Sequence, residues 1–407
     1  VGKNTALTSL EINSTNSNAN FARDVSAGII SITPIANFIG SSNLTGTTSI
    51  TFGNTINGPG SLTLTGGAIA FGGGIDTLSS FSLASVTGSI TTWPSSIRTT
   101  GLLNLTPGVV FTSPMSLIST NGSITTSTID GPGGLTLDAG TFFSIGSIGT
   151  LTPMGQVDLT ATSLSLMSSI ITSSESITVS IPTLLTADAT IDSTGLGTVT
   201  GATITLDAIG ANSTGVDAES LTINATSLGS GSLITLNGEL GGGDKPLGAV
   251  TIQGSSATSF LDIASSISTT NIVSGAGGVI TIDPQITLMG SSIMSTITGN
   301  ASGAAISLQN VIGSDLQTLV LLSGTSSIDV GSLVSVGSVS LTGAISLNGP
   351  VTAGGTVGSL SITNSGDLHI QSGDIALSGS FMQQGIGDVF LGNNITANGG
   401  PLSFESI

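Results

Sequence analysis

Few residues in this chain carry side chains able to do chemistry, and they stand apart from one another. His369 is the only histidine in 407 residues, cysteine is absent, and 22 acids face four bases, Lys3, Arg23, Arg98 and Lys245. A Ser-His-Asp relay would have to use His369. That residue alternates with Leu368 and Ile370 in Asp367-Leu-His-Ile, so it points to the outer side of a strand. No Gly-x-Ser-x-Gly elbow on a strand-to-helix turn accompanies it. Metal sites built from His and Cys are excluded by counting. Glycoside hydrolysis needs two carboxylates flanking one bond. The nearest acidic pairs are Asp188/Asp192 and Asp217/Glu219, the latter able to share a face, and both read as solvated turn acids. With no Tyr and only Trp93, aromatic platforms for sugars are scarce as well. Gly241-Gly242-Gly243-Asp244 is a Gly-rich turn without the repeated nonapeptide of calcium-bound β-rolls, which leaves Ca²⁺ only a bridging role between surface carboxylates. The Thr-x-Thr strings at Thr63/Thr65 and Thr203/Thr205 would suit an ice-binding face if they recurred in register, and no such recurrence is visible. The expectation is a chain with no catalytic, cofactor-binding or metal-ligating residue, and not an enzyme.

The elements that would have to position any site follow one rule, clearest between Ser359 and Phe404. Short units place two apolar residues one apart, as in Leu360/Ile362, Leu368/Ile370, Ile375/Leu377, Val389/Leu391 and Leu402/Phe404. Each pair points to one side of a strand, while Gly, Asn and Ser between the units turn the chain at low cost. The same pattern recurs at Leu10–Ile12, Ile30–Ile32, Ile50–Phe52, Leu164–Leu166, Ile177–Val179, Ile204–Leu206, Leu221–Ile223, Val250–Ile252, Ile280–Ile282, Ile306–Leu308, Val339–Leu341 and Ile345–Leu347. Asn13–Asn20 reads as a polar loop. Pro59, Pro132, Pro182, Pro284, Pro350 and Pro401 fall at turns or strand starts, where no ladder donor is needed. Longer similarities join Gly58–Leu83 to Gly131–Leu159 and Leu236–Ile252 to Leu347–Ile362, so the repeat is degenerate and spans several coils. Asn57, Asn237 and Asn348 each precede a glycine, and a left-handed turn conformation explains them better than amide ladders between coils. The fold class predicted is all-β, a single elongated parallel β-solenoid over residues 1–407 with no separate catalytic domain. Three short strands in a coil of ~20–24 residues give roughly 17–20 coils, and a rise of ~4.8 Å per coil gives ~80–95 Å.

Composition narrows the function classes. Gly supplies 59 residues and only 6% are charged, with a net charge of −18. That field repels phosphate backbones and excludes nucleic acid as a partner. Mean hydropathy is +0.51, yet no apolar run approaches the ~18 residues of a spanning helix, and aromatic girdles for a membrane barrel are lacking. Membrane insertion is therefore not expected. Zero cysteine means that stability must come from stacking and not from disulfides. The chain opens in mid-pattern at Val1-Gly2-Lys3, without a signal peptide, lipidation motif or anchor, as expected of a segment of a longer polypeptide.

The strings NGPGSLTLTGG (57–67), DGPGGLTLDAG (130–140), VGKNTALTSLEI (1–12) and the closing SGSFMQQGIGDVFLGNNITANGGPLSF (378–404) resemble the β-strand repeats of filamentous-haemagglutinin-like exoproteins of two-partner secretion and related autotransporter passengers. The resemblance implies a right-handed parallel β-helix, exported from a bacterium of Gram-negative type and displayed or released outside. The export domain of that family and a C-terminal translocator barrel have no match here. The function expected is that of an extracellular structural protein, an adhesin or fibre-forming segment acting by length, stiffness and association. Its partners would be other copies along the solenoid axis, further repeats of the parent chain, or a host or neighbouring cell surface. The alternatives are a polysaccharide-active β-helix enzyme and an S-layer-like or sheath-like lattice subunit.

Overall fold

Inward Leu, Ile, Val and Phe alternating with outward Ser and Thr suit a strand that buries one face, and that is how the chain folds. The computed structural model describes all residues except 1–6, 15–16, 88–89, 214–217, 227–230, 256–258, 270–277, 298–301, 314–316, 354–357, 372 and 407. Among the described residues there are 43 strands and no helix. Two compact units are distinguished, residues 1–175 with 179–181 and residues 176–178 with 182–407. In each, parallel strands stack coil on coil into a β-solenoid, with about 17 turns in all.

In the first unit each early coil has three sides. The strands Leu7–Ile12, Val25–Ile32, Ser42–Phe52 and Ser61–Phe71 stack so that Leu10, Ile30, Ile50 and Ile69 form one inward column on the first side. Ile12, Ile32, Phe52 and Phe71 form the column beside it, and the rings of Phe52 and Phe71 lie 5.9 Å apart and 2° from parallel. The second side stacks Ala19–Phe21, Ala36–Phe38, Ile56–Asn57 and Ile75–Leu78. The third begins at Val25, Leu44 and Leu64 and runs into the first without a turn, the strand bending where the register shifts between Gly46 and Ser49.

The two Gly-Pro-Gly copies mark equivalent corners. Gly58 and Gly131 adopt φ of 116° and 114°, and a Cβ at either would drive into the carbonyl oxygen of Phe38 or Phe111 in the preceding coil. Glycine is needed there for both conformation and space. Asn57, Asn237 and Asn348, by contrast, do not have positive φ, so the left-handed reading of these asparagines is corrected. Asn57 sits in a strand, in register with Asn37, and Asn37 Nδ2 in turn donates to Asn20 Oδ1 at 2.9 Å. Between Asn37 and Asn20 an amide contact links adjacent coils.

The second unit repeats the three sides with longer corners. On its first side Ala189, Leu221, Val250, Ile280, Ile306, Ile328, Ile345, Leu368 and Val389 occupy one inward column. Coil length is set by the corners and not by the strands: the column returns from Ala189 only at Leu221, but from Ile328 already at Ile345. Coil lengths therefore run beyond the ~20–24 residues expected from the sequence in both directions, the differences lying in the corners. Ser338–Leu347 and Ser359–Ile370 again cross from third side to first as single bent strands. Thr363–Gly366, which reads as a turn, lies inside the second of these. The core itself is dry and branched: Ile252, Leu261, Ile280, Leu321, Ile362 and Phe381 have no accessible surface.

Candidate functional site

His369, Asp188, Asp192 and Glu219, singled out for chemistry, each have a structural partner. His369 lies outward between Ser346 and Phe390 on the first side of the second unit, half-buried, its ring 4.6 Å from that of Phe390 and 3° from parallel. Asp188 is exposed and its Oδ1 accepts the Ser220 N–H at 2.8 Å. Asp192, at the far end of the strand Ala189–Asp192, is buried. Its Oδ1 accepts the Thr194 N–H at 2.5 Å and the Thr194 hydroxyl at 2.6 Å, and its Oδ2 accepts Asn224 Nδ2 at 3.1 Å. The two carboxylates close two different corners and do not face a common cleft. Glu219 is buried and holds Ser213 through its N–H at 2.9 Å and its hydroxyl at 2.7 Å; Asp217 and Lys3 lie outside the described residues. Asp244 ends the glycine turn, and among the described residues no three His, Cys, Asp or Glu side chains gather where a metal could be held.

Five carboxylates share a task that composition alone does not reveal. Asp24 accepts the Asn43 N–H at 2.8 Å, Asp130 the Leu151 N–H at 2.8 Å, Asp367 the Asp388 N–H at 3.0 Å and Asp374 the Asn394 N–H at 3.3 Å. With Asp188 on Ser220, each joins its own coil to the next through a charge-assisted bond to backbone. The signal for this was present: Asp24, Asp188, Asp367 and Asp374 all stand immediately before the first inward residue of a strand. One further acid is held differently. Asp283, following the strand Ile280–Ile282, is pushed above the ordinary aspartate range by desolvation.

Trp93 is half-buried, its indole stacked on Phe71 at 5.8 Å and meeting the Phe111 ring edge-on at 4.9 Å. It borders a hollow of about 240 Å³ with Val86, Ile90 and Val109, but these two phenylalanines already use much of its aromatic surface. A larger open groove of about 490 Å³ runs past Ser95, Ser116, Thr136 and Gln156 in the first unit, over Met115 and Leu135. Its lining contains no titratable group, so it can hold a molecule but supplies no acid or base.

Two surfaces remain. The outward column between the inward ones in the second unit reads Thr190, Thr222, Thr251, Thr281, Ser307, Asp329 and Ser346. The Thr-x-Thr strings do not recur in register, but four single threonines do, on consecutive coils. The signal was the repeated apolar-Thr-apolar triplet, not the Thr-x-Thr strings. Beside it stand Asp192, Asn224 and Gln253, so the row is flanked by carboxylate and amides and not by a second row of threonines. The other surface is the face of the last described coil, formed by Val389–Leu391, Ile395–Ala397 and Leu402–Ser406. These strands pair with Leu368–Ile370, Ile375–Leu377 and Phe381–Gly385 on one edge. Their inward column is uncovered, with Leu391 49%, Leu402 48% and Phe404 42% exposed. Compared with known protein families, curated proteins and solved structures, the chain matches none.

Proposed function

We propose that this chain is a non-enzymatic structural protein of the bacterial exterior, a β-helical adhesin or fibre segment whose work is done by stiffness and by stacking. The observation that carries the reading is the use made of its acids. Asp188 and Asp192 bond to Ser220 and Asn224 of the next coil, Glu219 holds Ser213 and His369 is stacked on Phe390, while the outward faces carry mostly Ser and Thr. A polysaccharide-active enzyme would need free carboxylates converging on a groove, and the groove past Ser95 and Gln156 has none in its lining. Extracellular placement and a right-handed coil follow from the resemblance to filamentous-haemagglutinin-like repeats and belong to the same proposal.

Two measurements test it. Purified chain is incubated with a panel of neutral and acidic polysaccharides, and new reducing or unsaturated ends are assayed. In parallel, antibody raised against the chain is applied to intact cells of the source. No turnover with labelling of intact cells is expected. Turnover that disappears in Asp192→Asn or Glu219→Gln while the coils stay folded would overturn the reading, as would labelling that requires lysis.

A further inference from the structure

The third side of the second unit has a neutral stretch. On five consecutive coils, residues 292–295, 318–322, 338–342, 359–363 and 381–384, no described outward residue carries a charge. The acids of these coils stand elsewhere: Asp329 points outward on the first side, and Asp367, Asp374 and Asp388 precede strands of the first and second sides. Asp315 lies outside the described residues. The neutral face also leaves apolar side chains open to water, Ile293 at 47% and Met382 at 40% exposed, with Val320 and Leu322 half-buried on the coil after Ile293. We infer that a second copy of the chain covers this face. The two second units lie side by side and run in opposite directions, related by a two-fold axis along the strand direction at Ser340.

Charge selects the occupant. With a net charge of −18, two copies repel unless the surfaces that meet are free of carboxylates. On the first and second sides Asp329 and Asp262 stand outward within their strands, whereas the third side holds no described carboxylate over these coils. The pattern of the face selects the register. One outward column reads Ile293, Val320, Ser340, Ser361, Met382. Turned about Ser340, it sets Ile293 against Met382 of the second copy at both ends, and Val320 against Ser361. The adjoining column reads Ser295, Leu322, Thr342, Thr363, Gln384, and the same rotation sets Leu322 against the methyl-bearing Thr363. At the axis Ser340 and Thr342 meet their own equivalents, which hydroxyls allow because each both donates and accepts. Copies running in the same direction would instead set Ile293 against Ser295 and Met382 against Gln384, leaving both exposed apolar side chains on polar ones. One coil beyond the face, Glu405 follows Gln384 in register and comes opposite Ser268, which precedes Ser295, so that carboxylate meets a hydroxyl. The same patch serves on both copies, so the contact closes as a dimer.

The test follows the 407-residue chain by sedimentation equilibrium over a concentration series, and a monomer–dimer equilibrium is expected. Ile293→Glu or Met382→Glu, each at an exposed position, raises the dissociation constant by roughly tenfold or more, because the two-fold places every change at two sites. Ser307→Glu adds the same charge outward on the first side and changes it by less than about twofold. Amide exchange of the interior coils stays as in the parent throughout. Two double variants read the register. Ile293→Lys with Met382→Glu sets opposite charges together at both ends and recovers the dimer, whereas Ile293→Glu with Met382→Glu does not. Equal loss in both doubles overturns the antiparallel register. Association that ignores Ile293→Glu, or that Ser307→Glu weakens as much, overturns the inference. So does a monomer retained on a neutral polysaccharide through Met382, which gives the face to a glycan. A chain that stays monomeric at every concentration also overturns it, yet leaves the structural reading standing if polysaccharide turnover is absent.

Discussion

Asn364 makes the sharpest test of how these coils are held. It lies in the bent strand Ser359–Ile370, only 2% exposed, and makes three side-chain hydrogen bonds. Its Nδ2 donates to the Gly366 and Ile386 carbonyls at 2.8 Å each, and its Oδ1 accepts Gln383 Nε2 at 2.7 Å. Gln383 is equally buried and stands one coil on. Asn364→Ala removes all three bonds and leaves the Gln383 amide without that acceptor inside the core. A net loss of about 1 kcal/mol per bond, raised by the unsatisfied buried amide, puts the cost at about 3–5 kcal/mol. Asn364→Leu with Gln383→Leu replaces both partners by apolar groups and should cost only about 1–2 kcal/mol, because no buried amide is left to satisfy. Asn364→Leu and Gln383→Leu, made singly and together, form a cycle with a coupling of at least about 1 kcal/mol. Coil arrays need not unfold in one step, so the assay is native-state amide exchange read at Leu360, Ile362, Phe381 and Met382. A double variant as unstable as the sum of its singles would refute the idea that the amide pair acts as a unit.

Other outcomes follow from the same packing. Phe81→Ala, at a fully buried ring beside Phe71, should cost about 3–5 kcal/mol in urea unfolding, since neighbouring coils limit collapse into the space. Gly131→Ala should cost about 1–3 kcal/mol from backbone strain, more where the Phe111 carbonyl cannot yield, read by the loss of exchange protection at Met115 and Leu117. Thr222→Val, outward and half-buried, should change stability by no more than about 0.5 kcal/mol, which separates a surface column from a structural one. Asp283 gives a pH dependence of defined sign. Its raised folded-state value means that the carboxylate penalises the fold only once it ionises. Below about pH 4 the group is protonated in both states and Asp283→Asn is neutral. As pH rises through the folded-state value the parent loses stability and the variant does not, so the gain from Asp283→Asn appears by pH 7. Urea midpoints at pH 3 and pH 7 check it, and an equal effect at both would refute the assignment.

Much of this architecture was readable before any coordinate, because the inward pairs are large and regularly spaced. Leu221/Ile223 and Ile280/Ile282 declare a strand by themselves. Ala36–Phe38 and Ile56–Asn57 do not: they are short, one uses alanine inward, and only the stack above and below makes them strands. Register was also out of reach. Coil lengths change with every corner, so the alignment of Thr190 with Thr222 and Thr251 depends on insertions that no fixed period predicts. The asparagines before glycine were misread for a related reason. Asn-Gly signals a left-handed pair in a hairpin, but here the chain goes on around the coil, and in Asn57-Gly58 only the glycine needs the unusual φ. Of the acids read as solvated, Asp188 is exposed, whereas Asp192 and Glu219 are buried on Thr194 and Ser213, near neighbours in sequence whose contacts the strand pattern alone does not show.

That arrangement accounts for how a chain with net charge −18 and only 6% charged residues stacks so closely. Like charges repel over roughly 8 Å at physiological salt, so acids crowded along one side of successive coils would push the coils apart. Asp24, Asp130, Asp188, Asp367 and Asp374 sit at corners and turn an oxygen toward the next coil's N–H, where the backbone dipole offsets part of the charge, while Asp138, Asp158, Asp262 and Asp329 stand outward within strands, opposite Thr or Ser of the adjoining coils. Ser and Thr fill most of the remaining outward positions and add no charge there.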